Sequence, residues 1–320
     1  VVLFAHGYVS VTEPLDYANL DIGGVYLPVL LQQLGYALAT TTYRQNGLVI
    51  SEGVEDMRLL RERFGAATGR RGGRFILVGV SQGGIIALLA AERYPAWYDG
   101  ALVLCGPVGS FRLQSDYIHD IRVLFDAYFP GILPGDARSI PPSMMAAWEA
   151  VHLPAIRAAV EAAPARAEEM LRVAGAAFEP GDLATVLNTF EQTLWYHTFG
   201  GMDAQQKLGG FPFDNRTRRY RGSSDDGALN AAVARYAADR AAVRVAWQYR
   251  PSGRPDIPVV ALHTTGDEVV PYRHLLTLFA RTRVTGSTAI DFYPIDRYGH
   301  CAFTPGELIG GLVRLLARMH

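Results

Sequence analysis

The first hundred residues alternate between short apolar runs and amphipathic stretches. Val1–Ala5 is unbroken apolar sequence closed by His6-Gly7, the pattern of a buried strand followed by a breaker. Residues 8–24 have no periodicity and read as a long loop. Val25 to Leu34 has helical spacing and stops at Gly35, and Tyr36–Tyr43 reads as a strand. Ser51, followed by acidic residues and by Met57, Leu59, Leu60 and Phe64, predicts a capped amphipathic helix. Phe75–Val80 is apolar and too short for a helix, Gly83–Arg93 is helical and stops at Tyr94-Pro95, and Gly100–Leu104 is another buried strand. Buried strands alternating with helices predict a parallel sheet covered on both faces.

The alternation stops after Gly106. Residues 107–255 hold Ala-rich helical stretches (Pro142–His152, Pro154–Ala177, Leu229–Val245) and aromatic segments that look irregular, Leu194–Phe199 and Phe211–Tyr220. Strand and helix resume with a strand at Ile257–Thr264, a helix near Tyr272–Arg281, a strand at Ala289–Ile295 and an amphipathic helix at Glu307–Met319. The expected organisation is one α/β domain, residues 1–106 and 256–320, interrupted by a mainly helical insertion over 107–255. No internal repeat or low-complexity tract is visible.

Composition narrows the function classes. With 49% apolar and 19% charged residues the chain can bury a large core. A net charge of -1 argues against nucleic acid as the partner, since a phosphate-binding surface needs a basic excess. Lys207 is the only lysine, which reflects codon bias toward arginine. No apolar run reaches the roughly 18 residues of a transmembrane helix. The chain opens on a strand without Met or a signal-peptide pattern, which predicts that residues preceding Val1, with any targeting signal, have been removed. No Walker loop, zinc-ligand spacing or dinucleotide fingerprint is present, so no cofactor or metal is expected.

Candidate chemistry lies in the α/β part. Gly79-Val80-Ser81-Gln82-Gly83 has the form G-x-S-x-G, between a strand and a helix, with Gly84 beyond. A nucleophile on so sharp a turn needs small neighbours, and chance supplies roughly 0.1 such patterns in a chain of this composition. A hydroxyl nucleophile needs a base, and the base needs an orienting acid. Asp267, in Gly266-Asp267-Glu268 just past a late strand, is the candidate acid, with Glu268 its rival. His300, in a loop after the last strand, is the candidate base. His263 sits in a strand and His274 in a helix; His119, His152 and His197 lie in the insertion, and His320 is terminal. The backbone N–H groups of Gln82 and Tyr8 are the expected oxyanion donors, with His6 buttressing the Tyr8 loop.

Four motifs in this order, His-Gly-x after an early strand, G-x-S-x-G-G, G-D-x-x-V-P and a late G-H, resemble the α/β-hydrolase superfamily over residues 1–106 and 256–320. The resemblance implies a doubly wound, mostly parallel sheet, a serine esterase activity and a cap at the insertion. It also implies a strand or two ahead of the His-Gly strand, upstream of Val1. In a cap, Trp148, Trp195, Tyr196 and Phe199, with Phe211 and Phe213, would line an acyl or aromatic pocket or pack the cap's own core. Cys105 and Cys301 read as two buried thiols or, because both fall at the carboxyl edge of such a sheet, as a disulfide pinning the His300 loop. That pairing is similar to the tannase and feruloyl esterase group, from which the chain departs in having Val80 where that group has cysteine. A disulfide would favour an exported protein. Asn215-Arg216-Thr217 fits a glycosylation sequon. The expected activity is hydrolysis of a small-molecule carboxylic ester. The alternatives are a peptidase acting on short peptides, an acyltransferase, or an inactive binding module; a dehalogenase or epoxide hydrolase would carry Asp at position 81.

Overall fold

Val2, Leu3, Phe4 and Ala5 are fully buried and form β1 (Val2–Ala5), the strand from which the computed structural model, describing residues 1–69 and 73–319, is built up. The loop that follows contains a small antiparallel hairpin, β2 (Asp21–Ile22) and β3 (Val25–Tyr26), and then α1 (Leu27–Gln33). The helix is two residues shorter at its start than the spacing from Val25 predicts: Val25 pairs with Ile22, and Pro28 lies in the first turn of the helix. β4 (Leu38–Thr40) and α2 (Ile50–Thr68) come next. Ser51 is not the cap of α2; Val49 occupies that position without a side-chain bond, and Ser51 is already inside the helix. β5 (Ile76–Val80), α3 (Gln82–Arg93) and β6 (Gly100–Leu104) lie where the apolar runs predict them.

The chain then enters the helical unit, Arg112–Gln248. Its helices are α4 (Phe111–Tyr128), α5 (Pro142–Ala146), α6 (Leu153–Ala162), α7 (Pro164–Ala174), α8 (Leu183–Trp195), α9 (Gly201–Leu208), α10 (Asp226–Ala232) and α11 (Arg240–Trp247). Pro164 divides the stretch read as one helix into α6 and α7, since it starts a new first turn. Leu194–Phe199 is helical rather than irregular: a π-turn, Tyr196–Gly200, joins α8 to α9, and a second π-turn, Trp148–His152, precedes α6. Tyr117, Ile121, Phe125, Phe190, Phe211 and Phe213 are in the core of this unit. Asn215 of the sequon is fully buried there. Its amide donates to Tyr220 Oη and the Ala234 carbonyl and its oxygen accepts from Tyr236 N–H, so the folded chain presents no glycosylation site at this position.

The α/β unit, Val1–Phe111 and Tyr249–His320, is completed by β7 (Val259–Gly266), α12 (Arg273–Thr285), β8 (Ile290–Tyr298) and α13 (Pro305–Arg318). It retains residues 107–111 and 249–255. Phe111 N–H donates to the Tyr249 carbonyl, and Arg281 holds both the Gly109 and Pro251 carbonyls. The sheet order is β4-β1-β5-β6-β7-β8, parallel throughout. Val2, Phe4, Ile76, Val78, Leu102 and Leu262 face α1 and α13 on one side. α2 and α3 pack on the other. Both faces are covered, which is why the strands are continuous apolar runs without alternation. The chain reverses direction of travel across the sheet between β1 and β5, so the carboxyl ends of these two strands flank a switch point, the usual place for a ligand site. No helix among the described residues is long and apolar enough to cross a membrane.

Candidate active site

Ser81 follows β5 directly and has φ 55°, ψ -123°. A non-glycine residue in that region is strained by of order 1–3 kcal/mol and persists only where its surroundings hold it. The surroundings here are tight. A Cβ on Gly79 would lie 2.1 Å from the Gly83 carbonyl oxygen, and one on Gly83 would lie 1.9 Å from the Ala5 carbonyl oxygen. Ser81 N–H donates to the Leu104 carbonyl (2.9 Å) and its own carbonyl accepts from Gly84 N–H (2.8 Å). The two glycines let α3 start against β1, and this lifts the serine hydroxyl off the carboxyl end of the sheet.

His300 lies just past β8. Its loop is tied down by Thr264 Oγ1 donating to the Gly299 carbonyl (2.7 Å) and by Gly299 N–H donating to the Gly266 carbonyl (3.0 Å). Its Nδ1–H donates to Asp267 Oδ2 (2.8 Å), which leaves Nε2 as an acceptor 3.0 Å from Ser81 Oγ. Asp267 is 1% exposed, and its Oδ1 also accepts from Val269 N–H (3.0 Å) and Val270 N–H (2.7 Å). The carboxylate therefore stays in one orientation. Burial lowers the His300 pKa, but the charge and hydrogen bond of Asp267, with the Glu268 charge behind them, outweigh it and leave the imidazole above its ordinary value of 6.5. Of the two acids in the turn, Asp267 is the one that touches the ring.

Gln82 N–H opens α3 beside Ser81, and the Gln82 side chain is anchored by donating to the Gly47 carbonyl (3.0 Å). The loop that carries Tyr8 passes the serine at Gly7, whose Cβ would lie 3.3 Å from Ser81 Cβ. His6 holds this loop: its Nδ1–H donates to the Gly7 carbonyl (2.8 Å), and its carbonyl accepts from Tyr43 Oη (3.1 Å). Cys105 and Cys301 form a disulfide with Cα atoms 5.4 Å apart, joining the residue after β6 to the residue after His300. Cys301 Sγ is 3.4 Å from His300 Nε2. Cys105, His300 and Cys301 form the one cluster of metal-type ligands among the described residues, and the disulfide takes up both sulfurs. In the helical unit, Trp148, Trp195 and Tyr196 line one cavity, with Phe199 stacked behind Trp195. Phe211 and Phe213 pack around His119 in its core.

A serine at positive φ after a central strand, an acid after β7, a histidine after β8 and the strand order around them decide the architecture. This is an α/β-hydrolase fold. No protein-family model and no curated protein matches the sequence. Among solved structures the chain is similar to an esterase of Pyrococcus furiosus, at 12% identity and TM-score 0.48, covering 100% of this chain and 82% of that one. It is also similar to α/β hydrolase domain-containing protein 10 from mouse (15%, TM-score 0.47, 100% and 90%). Lipase A of Candida antarctica is a third (16%, TM-score 0.47, 93% and 60%).

One contributor to this hydrolase-fold site belongs to none of the four motifs. His263, set aside as a strand residue, donates from Nε2 to the Val270 carbonyl (2.7 Å) and stands 3.5 Å from Asp267 Oδ2, bracing the acid's turn. The i, i+4 spacing of His263 and Asp267 across a strand end was the available signal. His274 accepts from Gly109 N–H (3.2 Å) and is structural; His320 lies outside the described residues.

Proposed function

We propose that the chain is a serine hydrolase that cleaves carboxylic esters through an acyl-enzyme on Ser81. The observation that carries this reading is the continuous hydrogen-bond path from Ser81 Oγ through His300 to Asp267, 3.0 and 2.8 Å, mounted on a strained turn. In this mechanism Ser81 Oγ attacks the ester carbonyl as His300 Nε2 takes its proton. Asp267 holds the ring in the Nδ1–H tautomer and stabilises the imidazolium. The N–H groups of Tyr8 and Gln82 receive the oxyanion, which is worth roughly 10²–10³ in rate for each donor. Collapse of the tetrahedral intermediate expels the alcohol, which takes the proton from His300. Water, deprotonated by His300, then attacks the acyl carbon and releases the acid and Ser81. A raised His300 pKa suits a group that must hold a proton between the two halves of each step. The disulfide favours an oxidising compartment as the working environment.

Parallel assays with p-nitrophenyl esters of increasing acyl length and with aminoacyl anilides test the substrate class. The expected result is turnover of short esters and little of anilides. Preferential anilide cleavage would replace the esterase with a peptidase of the same fold, and product formed in proportion to added alcohol would replace it with an acyltransferase.

A further inference from the structure

The helical unit holds a cavity of about 330 Å³, at the small end of the range for small-molecule sites. Its walls are Trp148, Trp195, Tyr196 and Leu153, with Glu149, Glu191 and Gln192 completing the lining. The rings of Trp195 and Tyr196 meet at 85° with centroids 5.0 Å apart, so two aromatic walls form a right-angled corner. Phe199, stacked on Trp195 at 4.9 Å and edge-on to Trp148 at 6.0 Å, fixes that corner from behind. Among the described residues, no basic side chain is part of the lining. Arg157 stands nearby, held by both oxygens of Glu191 (2.6 and 2.8 Å), and it also feels the charges of Glu149 and Glu161. Carboxylates thus outnumber the guanidinium around the opening. Trp148 and Tyr196 each begin one of the two π-turns. Such turns are uncommon and concentrate at functional sites, because the extra residue re-aims side chains that a regular helix would turn elsewhere.

We propose that this cavity binds a small organic cation, an ammonium or quaternary ammonium group on a compact apolar body, between the Trp195–Tyr196 corner and the carboxylate of Glu149. The chemistry follows from the walls. The faces of aromatic rings attract a cation and bury its methyl groups at the same time, and an exposed carboxylate adds a short-range, salt-screened attraction at little desolvation cost. An anion would meet the charges of Glu149 and Glu191, with the nearby Arg157 already engaged by Glu191. A neutral apolar molecule would gain the burial but not the electrostatic part. The proposal concerns the helical unit and does not depend on the ester-hydrolase reading.

The test uses the full chain labelled with ¹⁵N and follows the indole N–H signals of its four tryptophans, assigned by single Trp→Phe variants. Choline is titrated against its neutral isostere, 3,3-dimethylbutan-1-ol. The expected result is saturable shifts of the Trp148 and Trp195 signals with choline, while those of Trp97 and Trp247 stay in place. The neutral isostere should bind at least about tenfold more weakly, and Glu149→Gln, an exposed change that leaves the core intact, should weaken choline several-fold. Equal binding of the two molecules, shifts spread over all four indoles, or no saturable shift would overturn the proposal.

Discussion

Removing the Cys105–Cys301 disulfide should cost both stability and turnover. The bridge closes a loop with a sequence separation of 196 residues. In the chain-entropy treatment a loop of that length is worth about 5 kcal/mol at 25 °C. If the helical unit stays folded while the α/β unit opens, the flexible part of the loop shrinks to roughly 60 residues, and the same treatment gives about 4 kcal/mol. The logarithm makes the answer nearly independent of how the chain unfolds. For a unit of this size 1 kcal/mol moves Tm by roughly 2–4 °C, so a loss of 4–5 kcal/mol corresponds to on the order of 10 °C. Cys105 and Cys301 also have positive φ, 45° and 54°, and the bridge helps hold both residues in that uncommon region. Since Cys301 adjoins His300, release of the bridge should also loosen the imidazole from Ser81. The perturbation is Cys105→Ala with Cys301→Ala, which leaves no thiol beside the histidine. The assays are thermal inactivation and ester turnover at a temperature where the variant is folded. We expect Tm to fall by on the order of 10 °C and kcat to fall more than KM changes. A variant that melted within about 2 °C of the wild type with full turnover would refute both the loop-closure argument and the pinning of His300.

Three further outcomes follow from the site. Because the base must be neutral and its pKa is raised, kcat/KM should rise with pH through an apparent pKa above 6.5 and be lost as pH falls through it; Glu268→Gln, which removes one of the raising charges, should move that limb to lower pH. Asp267→Asn should lower kcat by roughly 10⁴-fold in a folded protein, because an amide no longer selects the Nδ1–H tautomer; a kcat within tenfold of wild type would remove Asp267 from the mechanism. Gly83→Ala puts a Cβ 1.9 Å from the Ala5 carbonyl oxygen and should destabilise by about 3 kcal/mol or more, read as a lowered urea midpoint, whereas an unchanged midpoint would mean the turn is far looser than its contacts indicate.

What the sequence made legible was what local pattern controls. Leu77, Val103 and Ala261 belong to apolar runs too short for helices, and these became the central strands. The Ser81 turn was legible because backbone crowding demands glycine at positions 79 and 83 whatever the rest of the chain does. The helical unit was harder to read. Its π-turn after Trp195 throws the 3.6-residue phase out of step, so Leu194–Phe199 looked irregular although it is helical. Leu229–Val245 has helical composition throughout, yet α10 ends at Ala232 and α11 begins only at Arg240. Between them Arg235 donates to the Asn215 and Arg218 carbonyls, and Tyr236 N–H donates to Asn215, so tertiary bonds displace the local preference. His263 was not legible as a site residue. It acts through a carbonyl seven residues on, which no local pattern records.

Nucleophilic catalysis by Ser81 is tested most directly by hydrolysis of a short-chain p-nitrophenyl ester by the wild type and by Ser81→Ala, with circular dichroism showing both to be folded. Catalysis by Ser81 predicts wild-type turnover and a loss of roughly 10⁴–10⁶-fold in the variant. A folded Ser81→Ala protein that kept the wild-type rate would contradict it.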